Sequence, residues 1–187
     1  GGSIGAGPEF STIRALAIDA DAAVGYVSAF ETVFAVDLVT GARTIVSDAG
    51  TGTGPAFVEL GDVGVDPSAG TAYVADGGAL YAVDLLTGDR VPLGDRLFPK
   101  SLDVDPVTGH VLLTDATGVT AVDPATDDIS SVSSSLDREQ GPRFDSGGGL
   151  RHLVVDAASR RAFVYDGYFH GVFVVELTTG ARSLLLR

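Results

Sequence analysis

The sequence predicts an all-β fold made of four repeated blades, each a sheet of four short antiparallel strands. Three observations carry this reading. A compound motif recurs four times along the 187 residues. Each copy holds four apolar runs of strand length, separated by turn residues. No copy holds the roughly 10–12 residues of helical period that a helix needs. Four-stranded units repeated at this size are the blades of a β-propeller.

The elements follow in order within each unit. A lead-in reads G-x-G-P-x-F at residues 5–10 and 52–57, and Q-G-P-R-F at 140–144. The first strand and its turn follow. They read L-A-I-D-A-D-A-A-V-G-Y-V-S from Leu16 and V-G-V-D-P-S-A-G-T-A-Y-V-A-D from Val63. The later copies read L-D-V-D-P-V-T-G-H-V-L-L-T-D from Leu102 and L-V-V-D-A-A-S-R-R-A-F-V-Y-D from Leu153. The repeated acids Asp19, Asp66, Asp105 and Asp156 are spaced by 47, 39 and 51 residues. The last two strands carry F-A-V-D-L-V-T-G-A-R from Phe34 and Y-A-V-D-L-L-T-G-D-R from Tyr81. They return as T-A-V-D-P-A-T-D-D-I from Thr120 and F-V-V-E-L-T-T-G-A-R from Phe173. Here the acids Asp37, Asp84, Asp123 and Glu176 are spaced by 47, 39 and 53, so both sets run in step.

In the second unit the strands are expected at 62–66, 71–75, 80–84 and 90–93. Asp-Pro-Ser-Ala-Gly and Leu-Thr-Gly-Asp between them are turns with a mechanism: Pro presets φ, Gly supplies positive φ, and Asp bonds back to the chain. The repeated acids are accordingly read as turn caps and not as calcium ligands. Blade boundaries fall near 5–51, 52–98, 99–139 and 140–187, within one propeller domain spanning 1–187.

These units resemble blades of the NHL, YVTN and gluconolactonase-like propeller superfamily. In that group a blade reads approximately G-L-A-V-D-P-x-x-G-x-x-Y-V-A-D, then, after a short gap, V-x-A-V-D-L-x-T-G. Residues 64–76 and 81–88 match closely, and the likeness extends over essentially the whole chain. It speaks for fold more than for function, because the matching residues belong to strands and turns. Relatives of this kind usually carry six or more blades. Each blade here runs from inner to outer strand, without a swapped closing strand. The chain is therefore expected to close as a four-bladed propeller, to pair into an eight-bladed ring, or to form part of a longer one. The absence of Met adds the expectation of a processed or excised segment.

Composition narrows the function. There are 12 basic and 25 acidic residues, a formal charge of −13, which argues against a nucleic-acid partner. No apolar window is long enough for a membrane-spanning helix. Cys is absent, which removes disulfides, thiolate metal sites and Cys nucleophiles. Asn is also absent. The divalent-cation site that the resemblance implies uses Asn ligands, so it is not carried over; Asp62 alone matches a ligand type. No cofactor and no metal is expected. The abundance of Ala, Val, Gly and Arg over Lys and Asn points to a bacterial source, and an extracellular or cell-envelope setting is the expectation.

Candidate binding residues follow from the repeat itself. Turns that stay constant between units are structural, whereas the loops at the other end of each blade vary, and loops on a rigid scaffold carry binding. The entrances of the inner strands are Ala15, Asp62, Ser101 and His152, preceded by Arg14, Gly61, Lys100 and Arg151. Asp, Ser and His in successive blades invite a triad reading. The plainer reading is a polar channel mouth, with Arg14 and Arg151 suited to an anionic group. The other distinctive loop is D-G-Y-F-H-G, where Tyr168, Phe169 and His170 form an aromatic tip, serving either as a contact surface or as cover for the blade edge. A mixed-charge run of Asp137, Arg138, Glu139, Arg143 and Asp145 reads as a solvated loop. The leading expectation is a non-catalytic binding or scaffold module with a protein or small-molecule partner. The alternative is a hydrolase or lyase at the channel mouth.

Overall fold

The computed structural model describes residues 5–94, 97–144 and 149–186. It contains sixteen strands and no helix among those residues. Each blade is a four-stranded antiparallel meander in sequence order. Blade 1 comprises β1 (Ile13–Asp19), β2 (Val24–Ala29), β3 (Thr32–Asp37) and β4 (Arg43–Ser47). Blade 2 comprises β5 (Leu60–Asp66), β6 (Thr71–Asp76), β7 (Ala79–Asp84) and β8 (Arg90–Leu93). Blade 3 comprises β9 (Ser101–Val104), β10 (Val111–Thr114), β11 (Gly118–Val122) and β12 (Ile129–Ser134). Blade 4 comprises β13 (Leu150–Asp156), β14 (Arg161–Asp166), β15 (Gly171–Glu176) and β16 (Arg182–Leu186). These are the blades of a β-propeller. They group into two compact units, Gly1–Leu93 with blades 1 and 2, and Gly94–Arg187 with blades 3 and 4.

The strands of blade 2 fall within two residues of the expected bounds. The inner strand starts earlier because the register shifts between Leu60 and Val63, and a bulged strand can extend past the point where simple alternation stops. The same irregularity falls between Ile13 and Ala15 and between Leu150 and His152.

The repeated acids cap their turns. Asp37 Oδ1 accepts the amides of Val39 and Thr40, each at 2.8 Å, and Asp84 repeats this with Leu86 and Thr87. Asp66 holds Ser68 and Ala69 in the same way. Glu176 has a longer side chain and does something else: its carboxylate takes Arg161 Nε at 2.7 Å, while its carbonyl still closes the turn through Gly180.

The lead-in folds onto its own blade. In blade 2 the Thr53 carbonyl accepts the Arg90 amide, and the Pro55 carbonyl accepts Arg90 Nε at 2.8 Å. The guanidinium lies 5.2 Å from the Phe57 ring centroid, and Phe57 meets Tyr81 edge to face. Gly52 is required here: its φ is +78°, and a Cβ would stand 1.9 Å from the Gly88 carbonyl oxygen. Blade 1 repeats the arrangement with Pro8, Phe10 and Arg43, and blade 4 with Pro142, Phe144 and Arg182. Blade 3 lacks both halves. Ile129 occupies the arginine position, Leu97 is buried in the lead-in, and Gly94 donates to Asp127 instead.

Two of these arginines, Arg90 and Arg182, join the blades within their units. Arg90 Nη1 donates to Ser47 Oγ at 2.7 Å, and that hydroxyl donates to the Gly88 carbonyl. In the second unit Arg182, Ser133 and Gly180 repeat the link. Between these polar links lie two apolar cores. One joins Val33 and Val46 of blade 1 to Leu60, Val63, Val74 and Val83 of blade 2. The other joins Leu112, Val119 and Ala121 of blade 3 to Leu153, Val164 and Phe173 of blade 4. On the far face of blade 1, Leu16 is 56% and Ile18 54% exposed. Their counterparts in blade 4 are covered: Leu153 is 4% exposed and Val155 packs against the core shared with blade 3.

Candidate functional site

With the strands of each blade lettered A to D from inner to outer, each unit presents its inner-strand entrances and B–C loops at one end of its blades, and its A–B and C–D turns at the other. In the first unit, Arg14 at the start of β1 pairs with Glu59 at 2.6 Å, both exposed. Asp62 sits in the β5 bulge, where its carboxylate accepts the Val63 amide at 3.0 Å. The neighbouring Gly61 carbonyl takes the Ser28 hydroxyl at 2.6 Å.

In the second unit, Lys100 is exposed while its amide bonds to the Thr114 carbonyl. Ser101 is buried, and its hydroxyl accepts the Leu153 amide of blade 4 at 3.0 Å. Asp103 repeats the link one register step on, taking the Val155 amide at 2.8 Å. Ser101 is thus a seam residue between two inner strands. Its neighbour in the seam, His152, is exposed and stacks on Tyr165 with ring centroids 6.3 Å apart.

The D-G-Y-F-H-G loop is built on Asp166. This carboxylate is fully buried and accepts the amides of Tyr168 and Phe169 at 3.0 and 3.1 Å. The cap turns the chain sharply and projects Tyr168, which is 70% exposed. Phe169 leans back, edge to face with Phe173 at 6.1 Å. His170 ends the loop in the left-handed region at φ +51° and is exposed. Arg151 belongs to the same end: its Cγ lies 3.2 Å from where a Cβ on Gly167 would stand. Arg151, Tyr168, Phe169 and His170 therefore share the loop end of blade 4. In the mixed-charge run Asp137 caps Glu139 at 2.9 Å, and its carbonyl takes Arg182 Nη2. Arg138, Glu139 and Arg143 are exposed, and Asp145 lies outside the described residues.

The turn end of the second unit holds a feature that no sequence motif marks. A cavity of about 410 Å³ opens between blades 3 and 4. Asp105 and Arg160 meet in its wall at 2.6 Å. Asp105 is 2% exposed, and Thr108 Oγ1 also donates to it at 2.7 Å. Burial pushes the Asp105 carboxyl up, but the bonds from Arg160, Thr108 and the Val107 amide, with the Arg160 charge, hold it below its ordinary 3.8. His110 lines the same wall, its Nε2 3.9 Å from Asp123. The signal for this cavity was in the repeat register, at Leu112 and Arg160, and not in any motif. Among the described residues no group of three His, Cys, Asp or Glu side chains is placed to hold a metal ion.

No protein-family model matches the chain, and no curated protein matches it. Solved structures do. The chain is similar to the nidogen/laminin complex with a TM-score of 0.77 and 18% identity, over 94% of this chain and 65% of that one. It is similar to the RRP9 WD40 repeats with a TM-score of 0.73 and 12% identity, over 97% of this chain and 52% of that one. An auxiliary nutrient-binding protein from Bacteroides ovatus matches with a TM-score of 0.70 and 18% identity, over 95% of this chain and 43% of that one. At these identities the likeness is one of fold, the β-propeller, and the chain spans about two thirds or less of each of these three structures.

Proposed function

We propose that the chain is a non-catalytic binding propeller of the NHL-like kind, which takes a protein partner on the loop end of blade 4. The observation that carries this is Tyr168, held 70% exposed by a turn whose capping carboxylate is fully buried. An aromatic ring on a rigid support loses little freedom when it binds, and Tyr and Arg are enriched among residues that dominate interface energy. Arg151 and His170 stand at the same end. One of the similar structures is by its name a complex of two proteins, which agrees with this use of the fold.

The test is a selection of displayed peptides on the immobilised protein, with the recovered binders then measured against two variants. Tyr168→Ala is expected to weaken them about tenfold or more, whereas Leu86→Ala, on a C–D turn of blade 2, leaves them unchanged. Failure to recover binders, or equal loss in both variants, would remove the loop end of blade 4 as the binding surface.

A further inference from the structure

The cavity in the second unit exists where blade 3 departs from the repeat. In the first unit, Tyr26, Ala35 and Leu85 pack against one core. Their counterparts by register are Leu112, Ala121 and Leu177, and these line the cavity. The correspondence is strict. Tyr26 and Leu112 each lie seven residues past the repeated Asp, and each pairs with the equivalent alanine on the next strand. Blade 4 has Phe163 at this position and blade 2 has Tyr73, so blade 3 alone lacks a ring there. The place that a phenol occupies in one unit is open in the other.

Its wall is also equipped differently. Arg160 stands where blade 2 has Gly70, four residues past the repeated Asp and in the same left-handed conformation. A large cation in a position that suits glycine is a local cost that the fold itself does not require. Among the described residues the Arg160 side chain donates only through Nη1, to Asp105, which leaves the rest of its fork for a ligand. The hydroxyls of Ser130, Ser131 and Thr178 line the cavity and make no hydrogen bond to the described residues.

These groups select a chemistry. Arg160 and Asp105 cancel in formal charge, so the wall offers donors and an acceptor without net attraction for an ion. The paired carboxylate and a chain charge of −13 oppose an anion, and Arg160 opposes a cation. The free hydroxyls oppose an apolar guest, which would leave them without partners. A volume of about 410 Å³ lies within the range of small-ligand sites. We infer that the cleft between blades 3 and 4 binds a neutral polyhydroxylated ligand, a saccharide of one or two rings. Neighbouring hydroxyls of such a ligand accept from Arg160 and donate to Asp105. This site lies at the opposite end of the blades from the loop surface and stands or falls separately.

The chain's own repeat supplies the test. Leu112→Tyr restores the residue of blade 1, and Arg160→Gly restores that of blade 2. Each side chain is already accommodated at the matching position of the first unit. Binding of glucose, galactose, mannose, maltose and cellobiose is followed by ligand-observed NMR and calorimetry, with inorganic phosphate and acetate as anion probes. At least one sugar is expected to bind the unaltered protein in the millimolar range, with about tenfold or greater loss in each variant; Leu112→Tyr should leave the thermal midpoint little changed, whereas Arg160→Gly, which leaves Asp105 without its counter-charge, should lower it while the protein stays folded at the assay temperature. If Leu112→Tyr perturbs folding, Arg160→Gly decides alone. No binding by any sugar, sugar binding unchanged in the variants, or phosphate binding abolished by Arg160→Gly would each overturn the assignment.

Discussion

Replacing Arg90 with Ala should be among the most destabilising single changes available in the first unit. The side chain is 6% exposed and donates to three carbonyls and one hydroxyl, of Pro55, Asp48, Thr51 and Ser47, at 2.7–3.0 Å. Pro55 is exposed, so its carbonyl can turn to water once the guanidinium has gone. The others lie at or below the surface of the join between blades 1 and 2, and lose partners that bulk water replaces poorly. Nη1 carries two hydrogens for these three acceptors, so they amount to two charge-assisted bonds, which at about 1.5 kcal/mol each give about 3 kcal/mol. The contact with Phe57 adds about 1 kcal/mol. The expected loss is therefore about 4 kcal/mol, at the upper end of single-residue effects. With a urea slope of roughly 2 kcal/mol per M, the midpoint followed by circular dichroism should fall by about 2 M. Arg90→Lys should recover little of this, because a point charge on a flexible stem does not fork between Pro55 and Ser47. Arg138→Ala, on an exposed loop, should leave the midpoint unchanged. A loss in Arg90→Ala below about 1 kcal/mol would show that the lead-in holds without its arginine, and would refute the reasoning.

Two further outcomes are expected. Backbone amides hold Asp37 and Asp84 below the ordinary carboxyl value of 3.8, chiefly through Thr40 and Val39 in one turn and Thr87 and Leu86 in the other. Because the folded values lie below the unfolded one, this stability is present above about pH 4 and is lost as pH falls through the folded values; urea midpoints across that range should decline less steeply in Asp37→Asn/Asp84→Asn than in the unaltered protein. Leu153, 4% exposed in the core that blades 3 and 4 share, should cost about 3 kcal/mol when replaced by Ala, a fall of roughly 1.5 M in the urea midpoint, and a loss below about 1 kcal/mol would show that the seam between these blades does not depend on it.

Much of the fold was legible because the determinants of each strand end are local. An Asp followed within four residues by Gly specifies a turn through bonds that span two or three residues, as Asp66 and Asp84 do. The starts of the inner strands were less legible, because the bulges at Leu60 and Leu150 depend on neighbouring strands. The arginine link is long-range: Arg90 lies 35 residues from Pro55. It could have been inferred only from co-occurrence, since the three blades with the P-x-F pattern in the lead-in also carry the arginine, and blade 3, where Phe98 precedes Pro99, lacks both the pattern and the arginine. At the candidate site, residue type foretold exposure for Tyr168 but not employment for Ser101, whose hydroxyl serves a backbone amide of the adjoining blade. The cavity was the least legible feature, because a missing ring leaves no motif.

The lead-in also has a bearing on how such a protein could be recombined. Its glycines tolerate no side chain against the carbonyls of the final turn and strand of the same blade, and its proline and phenylalanine are engaged by that blade's arginine. The heritable cassette therefore begins some eight residues before the first strand and ends with the last. Blades exchanged at that joint would carry their own closure with them, whereas blades exchanged at the strand edges would arrive with an orphaned cation. Blade 3 is the exception that could accept either kind of splice, since Ile129 and Leu97 ask nothing of the segment upstream beyond an apolar surface.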